Sequence, residues 1–504
     1  MEKIDYIVLA GYFCVLIIMG IWGYTKIKSS ADFYTAGGKL PWWLSGVSHH
    51  ISGYSGAVFV AYAAIAYTHG FTLYIWWALS IAIAMIGTIF FIAPRWARLR
   101  VEAGVQSPTE YLAMRYNLPT QQVMAWSGVI IKIFDVGAKW AAIGILLNAF
   151  TGLPLSTGIL TAGAISMIYI TIGGLWADVV NDLASFIIQF IAGMVMIVMV
   201  LLQLGDGVDG LFTMWDRLPP SHSQMYNEPY SAGFAISFMI ICFFSYSGGT
   251  WHLATRFISS SSGTEARKAA TLSMLLYLIW PLVLFFPMFA APIFLPDLAD
   301  PTKSYALMAM KFLPNGLVGL LLASMFGNTL AMTAADANTI SAVITRDIMP
   351  VVYKKTASFN AKKMLLIARI TTFLFILTTI IIAFQSESFG GVVGLIISWF
   401  AALVGPTAIP MILGLLPAFK YSDGKAALLS IVGGLLTFIV MKVTGGTSLA
   451  AEISAPIIVS MIIYSCWGLL FKRKVKPEVD QLLKALNQDS TIPHKTVVES
   501  NPVH

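Results

Sequence analysis

Lys132, Asp135 and Lys139 stand inside an apolar run from 121 to 150, at positions i, i+3 and i+7. That spacing places all three on one face of a helix. Ionisable groups are costly inside a membrane, so they line a polar cavity or neutralise one another. Two readings follow: Asp135 forms the polar side of a solute cavity, or an Asp135–Lys139 pair only locks helices together. Two further segments carry chemistry of another kind. Gly46-Val47-Ser48-His49-His50-Ile51-Ser52-Gly53-Tyr54-Ser55-Gly56 gathers three glycines, three serines and two histidines, and Phe244-Ser245-Tyr246-Ser247-Gly248-Gly249-Thr250-Trp251-His252 repeats the pattern. A helix break at membrane depth frees carbonyls and amides, which is tolerable only where they line a cavity or bind a solute. Close helix packing through Gly and Ser is the competing reading; two such segments at corresponding places favour the cavity. His49 and His50 are candidate proton carriers, or plain hydrogen-bonded residues.

The elements that must position these residues are membrane spans. Runs of about 20 apolar residues cover the hydrocarbon core as helices and satisfy their own backbone. Of the 504 residues, 58% are hydrophobic and 11% charged, as a polytopic helical membrane protein requires. Apolar runs bounded by charge, Pro or Gly give about thirteen spans. They lie near 5–25, 42–68, 71–94, 121–150, 155–174, 183–204, 232–255, 269–293, 314–345, 364–385, 391–418, 424–442 and 453–471. Alternate loops differ in charge. One set holds Lys26, Lys28, Lys39, Arg95, Arg98, Arg100, Arg115, Arg256, Arg267, Lys268, Arg346, Lys354, Lys355, Lys362, Lys363, Lys420, Lys425 and the run from Lys472 to Lys476. The positive-inside rule puts that set in the cytoplasm, with the N-terminus outside and the C-terminus inside. Residues 1–471 then form one transmembrane domain and 472–504 a polar cytoplasmic tail. On this reading Asp178 and Asp182 fall near the end of the fifth span or in the loop after it, as solvated acids or, for Asp182, an ion-exit group.

The net charge of +7 is spread over short loops and does not suggest nucleic acid. Cys14, Cys242 and Cys466 lie in apolar runs at unrelated spacings and read as packed thiols. The first run lacks a basic n-region and a small-residue cleavage site, so it reads as a retained span. No phosphate loop, zinc-ligand spacing or nucleophile elbow argues for an enzyme, and no cofactor is expected. Oligomeric state is left open.

Several stretches carry a resemblance in their order and spacing: Asp32-Phe33-Tyr34-Thr35-Ala36-Gly37-Gly38, Ser107-Pro108-Thr109-Glu110-Tyr111-Leu112-Ala113-Met114-Arg115-Tyr116, Ile168-Tyr169-Ile170-Thr171-Ile172-Gly173-Gly174-Leu175 with Asp182, and Ala337-Asn338-Thr339-Ile340-Ser341 with Arg346-Asp347-Ile348. The chain resembles the sodium:solute symporter family over nearly its whole length. The resemblance implies an all-α, LeuT-like core of two inverted five-helix repeats, about 42–204 and 232–418, with one helix before it and two after. It also implies a sodium site with carbonyls at Ile51, Tyr54 and Asn328, and hydroxyl positions that fall on Ala331 and Met332. A second site, found in some members, would use Asp182 and hydroxyl positions that fall on Ala334 and Ala335. None of these four residues offers a side-chain oxygen. Thr333 and Asp336 lie close by, but on other faces of the helix. An arginine that binds a substrate carboxylate in the sialic acid branch aligns with Asp135, so the sign is reversed and a simple carboxylate substrate is disfavoured.

The expected solute residues are Ser52, Gly53, Ser55, Trp76, Trp77, Asp135, Tyr246 and Trp251. Aromatic faces suit a sugar ring and equally a cationic amine. The expectation is a plasma-membrane symporter, in a bacterial cytoplasmic membrane, that imports a small polar organic solute such as a sugar or sugar derivative. The coupling ion is sodium or a proton. The alternatives are an amine or zwitterion carrier and a transporter-like solute sensor.

Overall fold

The computed structural model describes residues 1–385, 404–472 and 474–488. Every regular element in them is helical, and the few bridges between extended residues are isolated. Nine of the described helices are long and apolar enough to cross a membrane. In chain order the main elements are α1 (Lys3–Lys26), α2 (Trp42–Ile51), α3 (Val58–His69), α4 (Tyr74–Ala103), α5 (Leu118–Thr151), α6 (Leu155–Tyr169) and α7 (Gly174–Leu204). They continue with α8 (Ala232–Gly249), α9 (His252–Ile258), α10 (Gly263–Phe294), α11 (Leu317–Val352), α12 (Ala361–Ala383), α13 (Gly405–Leu413), α14 (Gly424–Thr444), α15 (Leu449–Leu470) and α16 (Pro477–Ala485). Part of the expected 391–418 span, and the tail from 489 on, lie outside the described residues.

The charge distribution is inverted relative to a water-soluble protein. Ile7, Ile18, Phe90, Phe91, Leu202, Ile279 and Leu436 point outward, while Asp135, Lys139, Asp178, Asp182, Arg256 and Asp336 are buried. Lipid is the solvent for such an exterior, and the polar groups must find partners within the bundle. Asp5 is an example: its carboxylate accepts the amides of Gly316 at 2.7 Å and Gly319 at 3.0 Å, which caps the start of α11.

Several sequence expectations need correction. The break between the fifth and sixth spans is one residue, Gly174 (φ 55°, ψ −165°), after which helix resumes at once. Asp178 and Asp182 therefore sit one turn apart on α7, fully buried rather than in a loop. Arg256, counted with the loop cations, is fully buried on α9, and Arg115 is also buried, donating to the carbonyls of Gly414 and Phe419. Cys14 and Cys466 are exposed on the outer face, and only Cys242 is packed inside. The tail holds a short amphipathic helix, α16, with Val479 and Leu483 buried and Leu486 and Asn487 held by Arg98 and Arg95.

The matched motifs meet in space. Asp347 accepts Ser107 Oγ (2.7 Å), Thr109 Oγ1 (2.5 Å) and Gln121 Nε2 (3.1 Å), while Arg346 pairs with Glu110 at 2.5 Å. The loop after α4 is thus tied to the end of α11.

Candidate functional site

Both expected breaks are present. α2 ends at Ile51, and the chain turns through Ser52–Ser55 before α3. The freed backbone groups are taken up across the bundle: Gly56 N–H donates to Thr329 Oγ1 (2.8 Å), the carbonyl of His50 accepts Tyr277 OH (3.2 Å), and the carbonyl of Ser52 faces His252 Nε2 (3.2 Å). The second break falls at Gly248 (φ 113°) through Trp251 (φ 68°), between α8 and α9. A positive φ at tryptophan costs on the order of 1–3 kcal/mol and needs packing to hold it. Gly128 on α5 supplies the room, because a Cβ there would lie 1.9 Å from the Trp251 ring.

Between the breaks lies a cavity of about 70 Å³, lined by Ser52, Gly53 and Ser55 from the first break, Ser245, Tyr246, Thr250 and His252 from the second, Asp135 and Lys139 from α5, and Tyr62 and Met332. Room for one water takes about 10–15 Å³ on this measure, so the space suits a small organic molecule or several waters. A smaller space of about 20 Å³ adjoins it at Thr250 and is lined by Gly128, Lys132 and Trp251.

Of the eight expected solute residues, Ser52, Gly53, Ser55, Asp135 and Tyr246 meet at the main cavity. Trp251 lines the adjoining space instead. Trp76 and Trp77 lie elsewhere, in aromatic packing. Trp76 stacks on Tyr230 (5.1 Å) with Phe234 and Phe238 edge-on, and Trp77 packs against Tyr54, Tyr62 and Phe285.

The charges form a closed set larger than the sequence suggested. Asp135 accepts Lys132 and Lys139, each at 2.9 Å. Asp336 on α11 faces Lys132 at 2.6 Å, Lys139 at 2.5 Å and His252 Nδ1 at 2.9 Å. With His252 neutral, two lysines and two aspartates sum to zero. The simple Asp135–Lys139 lock is therefore only part of the arrangement, and Asp135 also borders the cavity. His49 is hydrogen-bonded to Ser273 (2.8 Å) and stacked on Phe257 (4.6 Å). His50 sits among Tyr54, Phe186, Tyr277 and Trp280, its ring nitrogens without a hydrogen-bond partner among the described residues.

Around the expected sodium positions, the carbonyl of Ile51 accepts the Tyr54 amide at 2.8 Å, and Ala331 is buried. The two oxygen-bearing neighbours are engaged: Thr333 Oγ1 donates back to its own helix at Thr329 (2.8 Å), and Asp336 holds the lysines. The Asn328 side chain is buried with neither polar atom partnered among the described residues. Asp182 accepts Ser48 Oγ at 2.5 Å and lies 3.4 Å from Arg256 Nη2.

An all-helical bundle with two broken helices meeting at a buried polar cavity defines a secondary transporter of inverted repeats. The sodium:solute symporter family model matches residues 33–434, and the chain belongs to that family. It is an ion-coupled multi-pass membrane transporter and not an enzyme. The sodium/glucose cotransporter of Vibrio parahaemolyticus is 24% identical over 379 residues, covering 68% of each chain. The sodium/sialic acid symporter NanT of Aliivibrio fischeri is 24% identical over 519 residues, covering 98% of each. Among solved structures, a substrate-bound outward-open Na+-coupled sialic acid symporter superposes with a TM-score of 0.81 at 19% identity, over 94% of this chain and 99% of that one. At that identity the likeness speaks for the fold alone.

Proposed function

We propose that this transporter imports a small, polar, uncharged or zwitterionic solute, first of all a sugar or sugar derivative, by alternating access around the cavity between the two breaks. The carrying observation is the lining itself: four hydroxyl side chains (Ser52, Ser55, Ser245, Thr250), two tyrosines, and charges that already cancel within the Lys132–Asp135–Lys139–Asp336 set. A cationic amine would have to compete with two lysines for Asp135, and a carboxylate with two aspartates for Lys139. The glucose and sialic acid relatives support the sugar class. Ser52, Gly53, Ser55, Asp135 and Tyr246 contact the solute on this reading, while Trp76 and Trp77 support the wall and Trp251 closes the adjoining space. The basic loops face the cytoplasm of a bacterial cell, with the N-terminus outside.

Uptake of radiolabelled sugars, sugar derivatives and zwitterions into proteoliposomes of the purified full chain tests this and separates a carrier from a sensor. Asp135→Asn weakens one charge-assisted contact to the solute, worth about 1.5–3 kcal/mol, so uptake per folded molecule falls about tenfold or more; the same change leaves Lys132 and Lys139 sharing Asp336, so folded yield falls as well and is measured beside uptake. Normal uptake by the mutant removes Asp135 from the site, and no uptake of any of these solutes by the intact protein removes the solute class.

Family membership supports sodium as the coupling ion, held by the carbonyls of Ile51, Tyr54 and Asn328. A second reading, coupling to protons, is favoured by one observation: Ala331 and Met332 bring no oxygen to those carbonyls. On that reading uptake persists in sodium-free buffer under a proton gradient, and Ala331→Ser with Met332→Ser raises sodium dependence. Strict sodium dependence, unchanged by the double substitution, excludes it.

A further inference from the structure

A further cavity opens on the face of the bundle that carries the basic loops, well away from the two breaks. It holds about 80 Å³ between the loop joining α13 to α14 and the last turns of α15, with Phe419, Tyr421 and Ser422 on one wall and Ser465, Gly468 and Leu469 on the other. Its walls are fixed from behind. Ser422 Oγ donates to the Tyr464 carbonyl at 2.9 Å, and a Cβ on Gly468 would collide with that hydroxyl, so glycine is what lets loop and helix meet. The Phe419 ring packs on Tyr464 at 5.8 Å, and the Phe419 carbonyl accepts Arg115 Nη2 at 2.6 Å.

Lipid is the natural neighbour of this place. Ile462, Cys466 and Leu469 on α15 and Leu429 and Val432 on α14 are exposed on the outer face, which acyl chains must cover. What the cavity can select is the headgroup. Lys420 Nζ lies 5.2 Å from the centre of the Tyr421 ring, and Lys472 follows Leu469 by three residues, less than one helical turn. Neither lysine is ion-paired with a carboxylate among the described residues. The acids nearby have other tasks: Asp423 caps α14 through the amides of Lys425 and Ala426, and Asp480, within electrostatic range of Lys420, pairs with Lys484 at 2.7 Å. Across 415–425 and 472–488 the sequence places seven lysines and arginines against three acids, so this edge is positive. Tyr421 and Ser465 add hydroxyl donors. Basic pockets between spans at the membrane surface suit anionic headgroups, and long lysine stems reach such a site along apolar walls. We propose that this cavity binds the phosphate headgroup of one anionic phospholipid, with Lys420 and Lys472 as its cations. A zwitterionic lipid would bring its own cation against those lysines. A free phosphate would gain nothing from Phe419, Leu469 and the apolar helix faces beside them.

Native mass spectrometry of the detergent-purified full chain, with phosphatidylglycerol or phosphatidylcholine added, counts the lipids that stay bound. The wild type should hold one phosphatidylglycerol in preference to phosphatidylcholine, and its melting temperature should rise saturably as that lipid is added. Each lysine beside an anionic headgroup is worth about fivefold in affinity. Lys420→Ala with Lys472→Ala should therefore weaken phosphatidylglycerol binding by about 20-fold or more. Ser465→Phe fills the cavity and leaves every charge in place, and it should remove the preference too. Lys363→Ala, at the start of α12, controls for loose attraction to basic loops and should keep it. Equal retention of the two lipids by the wild type overturns the proposal, whether or not any variant folds. An undiminished preference in Ser465→Phe overturns it as well, because surface charge alone would then account for the binding. So does inorganic phosphate that reproduces the whole rise in melting temperature, since the occupant is then a free anion and not a lipid.

Discussion

Asp336→Asn should abolish transport and sharply lower the yield of folded protein. Asp336 lies within 2.6 Å of both lysines of α5 and is completely buried. Removing its charge leaves Lys132 and Lys139 sharing Asp135, one net positive charge in the middle of the bundle. Breaking a buried pair from one side costs about 3–5 kcal/mol, since the remaining charge is left uncompensated. That is a large part of the roughly 5–15 kcal/mol that holds a typical domain together. Asp336→Asn with Lys132→Gln restores neutrality, so thermal melting and monodispersity should return most of the way to wild type. Transport should stay impaired, because Lys139 then has a single carboxylate partner and borders the cavity differently. If Asp336→Asn alone melts within about 0.5 kcal/mol of wild type, the range of an ordinary surface change, the closed set is not a structural unit.

That set shows where the sequence stops being informative. Lys132, Asp135 and Lys139 could be placed on one face because helical spacing is local. Their partner Asp336 is 197 residues beyond Lys139, and local spacing ties it only to the neighbouring sodium positions on its own helix. The breaks at Ser52–Ser55 and Gly248–Trp251 were legible because Gly and Ser cluster there and unwound backbone at membrane depth needs a reason. Asp178 and Asp182 read as acids at a span end or in a loop for a related cause. Two adjacent glycines followed by acids resemble a loop, yet Gly174 alone makes the turn by adopting a positive φ. Once α7 begins there, a four-residue spacing puts both acids on one face, toward Arg256. Arg256 reads as one more loop cation, because nothing local distinguishes a buried arginine near a span end from an exposed one. Trp76 and Trp77 read as solute residues by type alone, whereas their packing against Tyr230 and Phe285 is set by distant chain segments.

Gly53→Ala should abolish uptake, and Tyr277→Phe should partly restore it. A Cβ at residue 53 would lie 2.1 Å from Tyr277 Oη and 3.2 Å from the His50 carbonyl oxygen. The carbonyl belongs to the turn that ends α2 and Tyr277 reaches it from α10: Gly53 N–H donates to His50 O at 3.1 Å, and Tyr277 OH donates to the same oxygen. Added carbon in so tight a place costs about 1–3 kcal/mol. Alanine also favours helix over glycine by about 1 kcal/mol, which biases the chain toward continuing α2 through the break. Both effects act on the segment that presents Ser52 and Ser55 to the cavity. Phenylalanine at 277 removes the colliding oxygen and gives up the hydrogen bonds to the His50 carbonyl and to Tyr246, about 0.5–1.5 kcal/mol each, so the double variant should fold and recover only part of the uptake. Gly11→Ala on α1, where nothing lies within 4 Å of the new Cβ, is the matched control and should transport normally. Wild-type uptake by Gly53→Ala would mean that the turn tolerates a side chain and that the break does not position the solute. Loss of uptake unrelieved by Tyr277→Phe would place the damage in the preference for helix rather than in the contact with Tyr277.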